Sequence, residues 1–164
     1  MTSDDPYALA ERAGAALLQR NWKITTAESC TGGWLAQAIT SVAGSSAWFE
    51  AGFITYANLA KQRMLGVQST TLAAYGAVSE AVVQEMAHGA LLTAQADCAI
   101  AISGIAGPGG GTAQKPVGTV CCAWVTQEQN VSRTFAFQGS RESIRRQSVV
   151  AALEGLLALF EPIQ

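Results

Sequence analysis

The chain has 164 residues, 49% of them hydrophobic and 13% charged, with a net charge of −2. That composition fits one domain over residues 1–164, with a sizeable core, and it excludes a disordered chain. No cluster of lysine and arginine is present to meet a nucleic-acid backbone, and no apolar stretch reaches the ~18 residues of a membrane helix.

The N-terminus, MTSDDPYALAERAG, is acidic and amphipathic, unlike a signal peptide, so a cytoplasmic location is expected. Pro6 suits a first helical position, and Leu9, Ala13, Ala16 and Leu17 share a face, which predicts a helix over 6–20. A short β-branched run, KITTA, predicts a strand over 23–27. Helical spacing returns over 33–42, and Gly44 closes that helix. The stretch AWFEAGFITY over 47–56 reads as a second strand. Asn58 is the expected cap of a short helix through 65, ended by Gly66. Ser79 caps a long helix striped by Val82, Val83, Met86, Ala90 and Leu91.

Residues 98–105, CAIAISGI, form a near-continuous apolar run that suits a buried central strand. The glycine-rich AGPGGGTAQKPVG follows. Strands over 117–126 and 132–137 are separated by a hairpin turn, and a last helix covers 140–160. Helices alternating with apolar strands predict an α/β fold: a three-layer α/β/α sandwich on a mixed, mostly parallel sheet of about five strands.

Ligands of such sheets sit beyond the carboxyl ends of the strands. Three polar, glycine-rich segments fall there: 28–33 (ESCTGG), 56–61 and 103–115. In the first, the N–H groups of Thr31, Gly32 and Gly33 open a helix and carry partial positive charge, which suits a phosphate or an oxyanion. The plainer reading is a helix cap contributing ~1 kcal/mol. The third segment is neither a P-loop nor G-x-G-x-x-G. Its Gly104, Gly107, Gly109, Gly110 and Gly111 permit close approach to a ligand, and three consecutive glycines favour a loop that orders on binding.

If Ser29 is a nucleophile it needs a base. The lone histidine, His88, falls at the edge of an apolar stripe and reads as structural. Of three lysines, Lys23 sits at the opposite end of its strand and Lys115 on a loop, which leaves Lys61. A helix dipole shifts a lysine by less than one pKa unit, so burial must supply the rest. Tyr56 is placed to pass protons or orient Ser29, or simply to pack at the sheet rim. Arg141, Arg145 and Arg146 open the last helix against its dipole. Salt bridges are the plain account, and an anion such as a phosphate held at these arginines, with Arg145 the one assigned to substrate, is the sharper one. Cys30, Cys98, Cys121 and Cys122 include no C-x-x-C pair and no metal-ligand spacing, so no metal is expected. Nor is any cofactor. Cys121 and Cys122 should point to opposite faces of their strand.

TAESCTGG, AGSSAWFEAGFITYANLAKQRMLGV, GAVSE and SGIAGPGGGTAQKPVGTV, in this order across nearly the whole chain, resemble the CinA C-terminal-domain family. The resemblance implies the same sandwich, often dimeric. It also implies, from single-domain members, hydrolysis of nicotinamide mononucleotide to nicotinate mononucleotide and ammonia in pyridine-nucleotide salvage. By resemblance Ser29 is the nucleophile and Lys61 and Tyr56 its partners. Cys30, Thr31, Gly32, Gly33, Ser103 and the glycine-rich loop then line the site of a small nucleotide. The longer members' N-terminal domain is absent from this sequence. Three other readings compete: a nucleotide-binding module without chemistry, a hydrolase acting through Cys30 or Glu28, and a structural partner protein.

Overall fold

The computed structural model describes residues 4–162, so Met1–Ser3 of the acidic N-terminal stretch lie outside it. The elements in chain order are α1 (Pro6–Arg20), β1 (Ile24–Glu28), α2 (Trp34–Thr40), a 3-10 turn (Ser45–Ala47), β2 (Phe49–Ile54) and α3 (Asn58–Leu65). They continue with α4 (Ser69–Tyr75), α5 (Glu80–Ala94), β3 (Cys98–Gly104), β4 (Thr119–Thr126), β5 (Asn130–Ala136) and α6 (Arg141–Leu159). Side chains of Asp5, Ser79 and Ser140 cap α1, α5 and α6 by accepting N–H groups of the first turn.

The five strands are ordered β2-β1-β3-β4-β5. β1 pairs in parallel with β2 and β3, and β4 pairs antiparallel with β3 and β5, so β4 alone runs against the rest. Alternation along β3 sorts two cores. Cys98, Ile100 and Ile102 face a cluster with Leu9 and Leu17 of α1, Leu35 of α2 and Ile144 of α6. Ala99 and Ala101 face Val82, Val83 and Met86 of α5 and Leu65 of α3. The three layers follow from this division. Cys122 and Cys121 fall in the first and second cluster respectively, on opposite faces of β4.

Alanines on the second face let α5 lie close to the sheet, and Gly89 lets α3 lie close to α5. A Cβ at Gly89 would stand 1.8 Å from the Leu65 carbonyl oxygen. Gly89→Ala gains helix propensity of ~1 kcal/mol, but overpacking a rigid backbone contact costs ~1–3 kcal/mol. The net expectation is a lower urea midpoint at an unchanged m-value.

Two local expectations are corrected. Ala57, in extended conformation, is the residue before α3, and Asn58 is the first helical residue, without a side-chain cap bond. Lys61 therefore sits one position deeper, its N–H bonded to the Ala57 carbonyl. Helix α4 went unread because none of its seven residues is buried, so it carries no apolar stripe.

Candidate active site

The carboxyl ends of β1, β2 and β3 come level, since Glu28 pairs with both Ile54 and Ile102. Beyond them lies a pocket of about 290 Å3 whose lining includes Ser29, Cys30, Tyr56, Lys61, Ser103 and Gly104. Gly107, Gly109 and Gly110 of the glycine-rich loop line it too, with Asn58, Ala77, Val78 and Arg141. All three segments expected at the strand ends thus contribute to one cavity.

Ser29 leaves the end of β1 with its N–H bonded to the Ile102 carbonyl at 3.0 Å. Lys61 reaches it from α3, Nζ to Oγ at 3.0 Å. The same Nζ donates to the carbonyls of Thr55 at 2.7 Å and Tyr56 at 3.1 Å. Lys61 is only 1% exposed, and no carboxylate is paired with it among the described residues. Desolvation by burial lowers its pKa, countered in small part by the Cys30 thiol. A neutral amine has two N–H donors and one lone pair. Two carbonyls accept the donors, so the lone pair is left for the Ser29 hydroxyl. In that protonation state the contact is that of a base with its nucleophile.

Glu28 has a role the sequence did not reveal. Its buried carboxylate accepts from Thr31 Oγ1 at 2.7 Å and from the N–H groups of Gly33, Leu35 and Ala36 at 3.2, 2.9 and 3.0 Å. The Gly32 and Trp34 N–H groups are bonded to the Ser29 and Thr31 carbonyls. The start of α2, for which the sequence left open an anion cradle or a plain helix cap, is therefore filled by the protein's own carboxylate. Thr31, Gly32 and Gly33 stand outside the pocket lining. Glu28 is unavailable as a nucleophile for the same reason. Glu28→Ala strands several buried N–H groups at once. A loss of about 3 kcal/mol or more, read by urea denaturation, is expected.

Arg145 also stands outside the pocket lining, because its Nε and Nη2 donate to the carbonyls of Cys30 (3.0 Å) and Thr31 (3.1 Å). Its guanidinium lies 5.5 Å from the Trp34 ring centroid. It braces the loop after β1 from behind. Tyr56 is 61% exposed at the rim, and its hydroxyl accepts from Arg141 at 3.2 Å rather than touching Ser29. What Tyr56 gives Lys61 is its backbone carbonyl. Cys30 is buried, which pushes its thiol up to about 11 and leaves it a poor nucleophile near neutrality. His88 bonds Asn130 at the far end of the sheet, and Lys23 pairs with Glu50 there. Lys115 ties the glycine-rich loop to the Tyr75 carbonyl. Among the described residues no group of three His, Cys, Asp or Glu has metal-site geometry. Nor is any helix long and apolar enough to cross a membrane.

The family model described as the CinA C-terminal domain matches residues 6–160. The chain belongs to the CinA C-terminal domain family. A relative from Escherichia coli (strain K12), nicotinamide-nucleotide amidohydrolase PncC, is 54% identical over 98% of each chain. The Pseudomonas putida protein of that name is 53% identical, covering 94% of this chain and 98% of its own. The solved structure of competence/damage inducible protein CihA from Agrobacterium tumefaciens superposes with a TM-score of 0.93 at 44% identity, covering 97% of each chain. A CinA superfamily protein from Klebsiella pneumoniae gives 0.92 at 44% identity, over 95% of this chain and 98% of the other.

Sequence reasoning missed Asn58 as a pocket residue, and among the three arginines it chose Arg145 where Arg141 lines the pocket. Asn58 carried a signal that was spent on capping. Arg141 carried one in its position at the start of α6, but nothing in the pattern separated it from Arg145.

Proposed function

We propose that this chain is a nicotinamide-nucleotide amidohydrolase working through Ser29 and Lys61, without metal or cofactor. The buried Lys61–Ser29 contact, with both other lysine bonds ending on carbonyls, is the observation that carries the reading. The names of the relatives supply the substrate class.

In the first half-reaction Ser29 Oγ attacks the carboxamide carbon and gives its proton to Lys61 Nζ. The oxyanion falls to a backbone donor. Gly32 and Gly33 N–H groups are engaged and Thr31 stands outside the pocket, so the Cys30 N–H is the one assigned to it. The carbon–nitrogen bond then breaks, and the nitrogen takes the Lys61 proton and leaves as ammonia. In the second half-reaction water attacks the ester and gives a proton to Lys61. The acid departs as Ser29 recovers its hydroxyl. One water is consumed per ammonia released, and no electrons are exchanged.

The proposal includes a role in pyridine-nucleotide salvage, a cytoplasmic location and a homodimer. The decisive assay is ammonia release from nicotinamide mononucleotide by purified protein, with nicotinate mononucleotide formed in equal amount. A folded protein that binds the nucleotide but releases no ammonia would turn the reading into that of a binding module.

A further inference from the structure

Of the three lysines, Lys61 contacts Ser29 and Lys23 pairs with Glu50, which leaves Lys115 without a part in the chemistry. It lies in the glycine-rich loop, and a reciprocal pair of bonds with Thr112 fixes its backbone there. The Thr112 N–H donates to the Lys115 carbonyl at 2.8 Å, and the Lys115 N–H donates to Thr112 Oγ1 at 3.0 Å. The side chain leaves the loop. Its Nζ donates to the carbonyl of Tyr75, the last residue of α4, at 2.5 Å. A carbonyl in the last turn of a helix has no intrahelical donor, so it accepts the ammonium at no cost to the helix. The ammonium lies directly on the helix end, since a Cβ added at Gly76 would stand 3.3 Å from Nζ. Among the described residues no carboxylate pairs with Lys115.

The two segments joined by this bond are two walls of the active-site pocket. Gly107, Gly109 and Gly110 line it from the loop, and Ala77 and Val78 from the turn after α4. Among the described residues no other hydrogen bond joins residues 66–79 to the loop. Little else holds the turn. No residue of α4 is buried, and within 69–78 only Leu72 and Val78 pack, half-buried, against the second core cluster. Behind the turn lies a second cavity of about 810 Å3, whose lining includes Tyr75, Val78 and Lys115. Val78 alone among the described residues lines both cavities. The active-site pocket is therefore closed on this side by a thin partition, and Lys115 pins it.

We propose that Lys115 is a positioning residue of the active site: its bond to Tyr75 holds the α4–α5 turn and the glycine-rich loop in the arrangement that binds substrate. Lys115 lines the second cavity and touches neither Ser29 nor Lys61, so it acts on the shape of the pocket and leaves the chemistry alone. Three consecutive glycines and an unburied helix make both walls costly to order. A bond formed before substrate arrives removes that cost from binding.

The test compares wild type with Lys115→Met, which keeps most of the stem and loses the ammonium, and Lys115→Arg, which keeps a cationic donor. A hydrogen bond to a charged group is worth roughly 10- to 100-fold in an equilibrium, and less where solvent screens it. Lys115→Met is expected to raise KM for nicotinamide mononucleotide at least about fivefold, with kcat within about twofold of wild type. Lys115→Arg should recover most of that loss. Hydrogen exchange of the free protein should quicken over 74–79 and 106–114 together in Lys115→Met, and stay unchanged in β3 and α6.

A fall in kcat at unchanged KM would mean only that fewer molecules are folded, and would overturn the proposal. So would faster exchange in one of the two segments alone, or in neither. The kinetic arm rests on the amidohydrolase reading. If wild type releases no ammonia, that reading fails, and exchange in the free protein still decides whether Lys115 joins the two walls.

Discussion

Ser29→Ala is expected to abolish ammonia release from nicotinamide mononucleotide while leaving the fold and nucleotide binding in place. The expected fall in kcat is at least about 10^4-fold, in line with the loss of a nucleophile that acts as a unit with its base. No neighbouring group is free to take its place. The Thr31 hydroxyl is committed to Glu28 at 2.7 Å. The Cys30 thiol, raised to about 11 by burial, is almost wholly protonated at neutral pH. The Glu28 carboxylate is spent on the start of α2. Removing one hydroxyl costs about 1 kcal/mol through the lost bond to Lys61, too little to unfold a domain of this size. Circular dichroism and calorimetric binding check the fold and the site separately from turnover. Residual activity sensitive to a thiol reagent would point to Cys30. Activity within tenfold of wild type would remove Ser29 from the mechanism.

Much of this arrangement was legible because it depends on periodicity and on strand ends. The run CAIAISG alternates isoleucine and alanine along β3, which reveals a strand buried on both faces and hence helices above and below. Once strands alternate with helices, their carboxyl ends must lie together. Ser29, Lys61 and the glycine-rich loop then meet at one place. Lys61 was reachable by elimination, since the other two lysines fall at the wrong end or on a loop.

What stayed hidden depends on side-chain direction between distant segments. Glu28 ends a buried strand, and nothing in ESCTGG says that its carboxylate turns back onto N–H groups five to eight residues later. That one contact converts an apparent anion cradle into a filled cap. Arg141 and Arg145 lie one helical turn apart, yet one faces the pocket and the other the back of the loop that carries Ser29 and Cys30. Their difference is set by how α6 docks, which involves residues more than a hundred positions away.

Lys61→Met should separate the two properties that burial gives this lysine. As the general base its loss should lower kcat by about 10^2–10^4-fold, with binding retained. In wild type the rate should rise with pH as Lys61 loses its proton, along a limb centred below the ordinary lysine value of 10.5, since burial shifts it down. That limb should be absent from the residual activity of Lys61→Met.

Stability carries the same signature with a definite sign. A lysine whose folded pKa is depressed binds fewer protons in the folded chain than in the unfolded one. Between the folded value and 10.5, stability therefore rises with pH. Below that window the folded state bears the full cost of burying the charge, and above it the cost is gone. The buried cysteines have raised pKa values and act oppositely at high pH, but they are common to both proteins. Wild-type stability minus that of Lys61→Met, from urea denaturation across this range, should thus climb toward pH 10.5. A flat difference would mean that Lys61 titrates like a solvated lysine. The 3.0 Å contact with Ser29 would then be an ammonium donating to a hydroxyl, and the base would have to be sought elsewhere.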